Sequence, residues 1–147
     1  MINSIVVGTD GSSTADKAVS EAIQIAKSNK AKLHVVTAFE DSSLARKQRE
    51  ADQIPSDMQW AFNARDAIDA TANHAAALAK DEGIEVQAHV RQSSPAGALI
   101  DVAEESGADL IVVGNKGMTG AKRFVAGSVP NKVTHNAPCS VLVVRTT

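Results

Sequence analysis

The chain has 147 residues, 44% apolar and 22% charged, which suffices for the core of one domain spanning 1–147 and excludes a disordered or collagen-like chain. With 15 basic and 17 acidic residues the net charge is −2, and only 3% are aromatic, so neither a nucleic-acid-coating surface nor a polybasic membrane anchor is expected. The single cysteine, Cys139, excludes an internal disulfide framework and a cysteine-based zinc site, and no apolar run approaches the ~18–20 residues of a membrane span.

The opening Met1-Ile2-Asn3-Ser4 has no basic segment ahead of a long apolar one. No signal peptide is therefore expected, and the cytoplasm is the expected location. Ile5 to Thr9 (IVVGT) reads as a first strand, apolar on consecutive positions as a parallel strand covered on both faces should be. Asp10-Gly11-Ser12-Ser13 breaks it, and Ser12 or Ser13 caps a helix whose apolar stripe is Ala15, Ala18, Val19, Ala22, Ile23 and Ala26. Ala31 to Ala38 reads as strand two. Residues 40–57, polar and of mixed charge with Pro55, form a long connection that serves as a lid or carries no fixed structure. A helix follows from Met58 to Lys80, ended by Gly83.

Ile84 to Val90 reads as strand three, and Ser94-Pro95 opens a helix that runs to about Gly107. Asp109 to Val113 is strand four. A glycine-bearing loop spans Gly114 to Gly127, Ser128-Val129-Pro130 starts a short helix ending near Asn136, and Cys139 to Arg145 is strand five. Strands alternating with helices specify a doubly wound parallel α/β sheet. Ligands of such sheets bind beyond the carboxyl ends of the strands, where the strand order reverses.

Three pieces meet that rule. The first is Gly8-Thr9-Asp10-Gly11-Ser12, the second Thr37-Ala38, and the third Gly114-Asn115-Lys116-Gly117, nine intervening residues, then Gly127-Ser128. Glycines let backbone approach a phosphate closely, and the first amides of a helix lack internal partners and carry positive partial charge. Lys116, Lys122 and Arg123 add positive charge to the loop. Asp10 can accept hydrogen bonds from ribose hydroxyls, and Ala38 leaves room for an adenine edge.

The stretches IVVGTDGSSTADKAV, ADLIVVGNKGMTG and FVAGSVPNKVTHNAPCSVLVV resemble the universal stress protein family over essentially the whole chain. The spacing G-x2-G-x9-G-[S/T] at Gly114, Gly117, Gly127 and Ser128 is the signature of its ATP-binding branch. The likeness is strongest to small single-domain actinobacterial members, some of which prefer cyclic AMP. It implies a five-stranded sheet of order 3-2-1-4-5 and a homodimer paired through the last strand, here Ser140–Val144. It also implies Asp10 and Gly114 at the ribose, Ala38 at the adenine, Val113 beside sugar or base, and Gly117, Gly127, Ser128 and Val129 at the phosphates. Asn115-Lys116 and Ala38 depart from the commonest residues at those positions.

Plainer roles stand beside these. Asp10 can simply hold a turn, Gly114 can end a strand, and Ser128 can cap its helix. His34, His74, His89 and His135 are scattered over different elements and are not expected to bind metal, and Cys139 reads as core rather than nucleophile. The expected function is adenine-nucleotide binding in stress response or signalling, with ATP first, any Mg2+ riding on its phosphates, and cyclic AMP the alternative. A slow ATPase or autophosphorylating enzyme would use the same loop. The chain lacks the P-loop pattern, and no acid or histidine is clearly placed to activate water, so a binding protein is expected ahead of a catalyst. A nucleotide-independent dimeric interaction protein is the third reading.

Overall fold

In the computed structural model of the chain, the described residues are 1–40, 57–115 and 128–146. Nearly all of the predicted connection 40–57 lies outside them, as do Lys116, Gly117, Lys122, Arg123 and Gly127 of the glycine-bearing loop. Five strands and four helices alternate along the described residues: β1 (Ser4–Gly8), α1 (Ser13–Asn29), β2 (Lys32–Phe39), α2 (Asp57–Asp81), β3 (Val86–Gln92), α3 (Pro95–Ser106), β4 (Leu110–Gly114), α4 (Ser128–Asn136) and β5 (Ser140–Val144). The strands form one parallel sheet in the order β3-β2-β1-β4-β5, the predicted architecture. The order reverses between β1 and β4, so the switch point lies beyond Gly8 and Gly114.

The consecutive apolar residues of the inner strands serve two cores. On one face Ile5, Val7, Leu33, Val35, Leu110 and Val112 pack against Val19, Ala22 and Ile23 of α1 and Ala75 and Ala79 of α2. On the other, Val6, Val36, Ile111 and Val113 meet Leu99, Val102 and Ala103 of α3 and Val133 of α4. Each Val, Leu or Ile so buried contributes about 1.5–3 kcal/mol relative to exposure. The alanine stripe of α1 lets that helix lie close to the sheet.

Local signals set the helix ends. Ser12 caps α1, its hydroxyl accepting from the Ala15 N–H at 3.2 Å, and Ser94 caps α3 through the Gly97 N–H at 3.2 Å with Pro95 first in the helix. Helix α1 ends on Lys30 in the left-handed region, at φ 53°, where glycine is the usual occupant. Strand three starts two residues later than its apolar pattern predicts. Gly83 turns at φ 79°, and the Ile84 N–H donates back to the Ala79 carbonyl at 3.1 Å. Ile84 therefore finishes α2 and packs into the first core, and pairing with β2 begins only at Val86.

Candidate functional site at the strand carboxyl ends

A cleft of about 370 Å³ opens at the switch point, within the range of small-molecule sites. Gly8 at the end of β1, Thr9, Asp10 and Ser12 after it, Val36 and Ala38 of β2, and Val113 and Gly114 of β4 line one part of it. Thr14 and Ala15 of α1, Pro95 and Leu99 of α3, and Ser128, Val129 and Pro130 of α4 complete it. Eight of the residues singled out in the sequence thus share one cavity: Gly8, Thr9, Asp10, Ala38, Val113, Gly114, Ser128 and Val129. The other three, Lys116, Gly117 and Gly127, lie outside the described residues.

The turn after β1 is held from several sides. The Thr9 N–H donates to the Val36 carbonyl at 2.9 Å, extending the ladder one residue past the strand. The buried Thr37 hydroxyl donates to the Thr9 carbonyl at 3.1 Å. The Gly11 N–H donates to the Thr9 hydroxyl at 3.1 Å, and the Ser12 N–H to Asp10 Oδ1 at 2.9 Å. Asp10 therefore does hold a turn, and it lines the cleft as well. A carboxylate has further lone pairs beyond the one spent on Ser12, so the two roles are compatible. Gly11 sits at φ 83°, and a Cβ there would lie 3.2 Å from Cγ2 of Thr71 on α2.

Helix α4 starts at Ser128 and has 9 residues. The first amides of a helix have no partner within it, and Pro130 has no N–H at all, so among the described residues Ser128 and Val129 supply the first-turn donors without an intrahelical partner. The floor is small and apolar. A Cβ on Gly8 would come within 3.1 Å of Leu99 Cδ2, so glycine keeps α3 close to the end of β1. The sequence reading missed the α3 wall of Pro95 and Leu99. The Ser94-Pro95 signal marks where that helix starts, but it is the strand order, in which the β3-to-β4 connection crosses β2 and β1, that brings it beside β1.

One grouping contradicts the expectation of scattered histidines. In the parallel register His34 stands opposite Gln87 and His89 opposite Val36, which puts both rings on one face as diagonal neighbours. His34 Nδ1 and His89 Nε2 are 2.9 Å apart, with ring centroids 5.1 Å apart. Burial, then the facing His89, pushes His34 down from 6.5 to about 4, and burial followed by Arg91 lowers His89. Arg91 in turn binds both carboxylate oxygens of Glu105 on α3, and that bond holds the Glu105 carboxyl below the usual range. Cys139 is half-buried against the second core, and burial raises its thiol pKa, which disfavours the reactive thiolate. Among the described residues no group of three or more His, Cys, Asp or Glu is placed to hold a metal ion. No described helix is long and apolar enough to cross a membrane.

The profile of the Universal stress protein family matches residues 1–145. A universal stress protein of Methanocaldococcus jannaschii is 30% identical over 144 residues, covering 96% of this chain and 81% of that one. Among solved structures, a universal stress protein in complex with cAMP is 33% identical with a TM-score of 0.73, covering 99% of this chain and 98% of the other. Universal stress protein UspA from Lactobacillus plantarum is 27% identical, also with a TM-score of 0.73, and the match covers 98% of each chain.

Proposed function

The chain belongs to the universal stress protein family, and from that premise we propose that it binds an adenine nucleotide in the switch-point cleft, acting in stress response or signalling. In this reading the ribose lies between Asp10 and Gly114, the base over Ala38 beside Val113, and a phosphate at the start of α4. The observation that carries it is the convergence of the Asp10 carboxylate and the opening residues of α4, Ser128 and Val129, on one cavity floored by glycine and alanine. An acceptor for sugar hydroxyls and a cationic helix end for an anion are the two features a nucleotide requires.

Among the described residues, the Ser128 and Val129 amides of the first turn of α4 are the donors offered to a phosphate. The 33%-identical structure holds cyclic AMP, which makes that nucleotide the first candidate here. ATP is the second, with any Mg2+ carried on its own phosphates. Calorimetric titration with cyclic AMP, AMP, and ATP with and without Mg2+ tests the reading. One site per chain for at least one of them is expected, and no binding of any would overturn it.

We also propose that the protein is a homodimer paired through β5. Among the described residues that strand pairs on one side only, with β4, and it carries Val143 at 41% exposure. An apolar strand at a sheet edge invites a second strand.

A further inference from the structure

We infer that Asn115 and Thr146 form a clamp that positions two walls of the nucleotide cleft, an inference that rests on the nucleotide-binding reading above. Asn115 directly follows Gly114 of the cleft, and its N–H donates to the Val144 carbonyl at 2.9 Å. Its side-chain oxygen then accepts two hydrogen bonds from one residue, the Thr146 N–H and the Thr146 hydroxyl, each at 2.8 Å. The Thr146 carbonyl accepts from Lys17 Nζ at 3.1 Å. Lys17 lies on α1 one turn beyond Thr14 and Ala15, which line the cleft.

Thr146 thus uses its N–H, hydroxyl and carbonyl at once, and it is only 2% exposed. The tie runs between the end of β4 and the start of α1, the two elements that present Gly114 and Thr14 to the cavity. Asparagine suits the task, because one amide oxygen offers lone pairs to two donors. The core packing of α1 on β4 sets their coarse placement, and without the clamp Gly114 and the α1 wall are held less tightly relative to each other. A ligand touching both must then supply that order itself, and its affinity falls by the corresponding factor. Asn115 and Thr146 are positioning residues, since neither lines the cleft.

Coupling of this kind is reciprocal. If the closed clamp tightens nucleotide binding by some factor, bound nucleotide must favour the closed clamp by the same factor. The test uses the full chain and whichever of cyclic AMP or ATP binds it. Asn115→Ala, which removes the acceptor, should weaken binding about five- to tenfold. Asn115→Asp, which keeps it, should restore affinity. In the unmutated protein, nucleotide should slow hydrogen exchange of the Thr146 amide by a similar factor, while the Ala31 amide at the opposite end of the sheet is unchanged. A purely structural tie would leave Thr146 exchange unmoved by ligand. Equal affinity in Asn115→Ala overturns the clamp while leaving the nucleotide reading intact. Ligand-independent Thr146 exchange does the same, and it stands even if Asn115→Ala fails to fold. Failure of the unmutated chain to bind either nucleotide overturns both.

Discussion

Asp10 carries two tasks that a single substitution can separate. Its Oδ1 accepts from the Ser12 N–H and shapes the turn, and the residue lines the cleft where the ribose is proposed to lie. Asp10→Asn keeps a carbonyl oxygen for Ser12 and loses the charge. A hydrogen bond to a charged group contributes about 1.5–3 kcal/mol, so nucleotide affinity should fall roughly 10- to 100-fold with thermal stability little changed. Titration and a melting curve check it, and unchanged affinity would remove Asp10 from the ribose site. The His34–His89 pair makes a separate prediction. His34 is 5% exposed, and its imidazole is held down to about 4 from 6.5. Its neighbours Lys32 and Glu85, and Arg91 and Glu105 beside His89, act in opposite directions and leave burial dominant. Between those two values the unfolded ring binds a proton that the folded ring refuses, so stability rises with pH. The contribution is full above the unfolded pKa of 6.5 and is lost as pH falls toward about 4. Urea unfolding at about pH 7 and about pH 5 should show a drop about 1–2 kcal/mol larger for the unmutated chain than for His34→Gln. Equal drops would show that the pair contributes no such term.

Among the elements, helix ends and strand starts show where sequence patterns suffice. Ser12 and Ser94 cap as their positions predict, because a cap is a contact between residues three apart. The apolar character of Ile84 suits strand three, yet its N–H closes α2, and only the geometry around Gly83 reveals this. The His34–His89 contact and the Asn115–Thr146 clamp were illegible for a stronger reason. They depend on strand register, and join residues 55 and 31 positions apart. Lys30 shows a local compromise. A side chain in the left-handed region is strained, so Lys30→Gly should raise stability by about 0.5–1 kcal/mol, measured by denaturant unfolding. A loss would mean that the lysine side chain contributes more than its backbone costs.

For the whole molecule, the two edges of the sheet differ. Edge strand β3 carries Gln87, His89 and Arg91 on one face, with Arg91 paired to Glu105, whereas β5 reads Ser-Val-Leu-Val-Val. Charged and polar groups discourage an edge from pairing, and an apolar edge invites it, so the proposed dimer is placed at β5. Val143→Lys should convert a dimer to a monomer by light scattering, at nucleotide affinity within about twofold if each cleft is complete in one chain. A chain that is monomeric before mutation would dismiss the pairing. The alternation of strands and helices was legible throughout, but the strand order 3-2-1-4-5 came from resemblance alone, since periodicity says nothing of which strands are neighbours.

The central claim is that an adenine nucleotide places its phosphate at the start of α4 and its sugar at Asp10. Backbone amide NMR shifts during a titration with cyclic AMP test it most directly. The largest changes should fall on Asp10, Gly114, Ser128 and Val129, with those of β3 unmoved; saturable binding that leaves these four still and shifts amides elsewhere would contradict it.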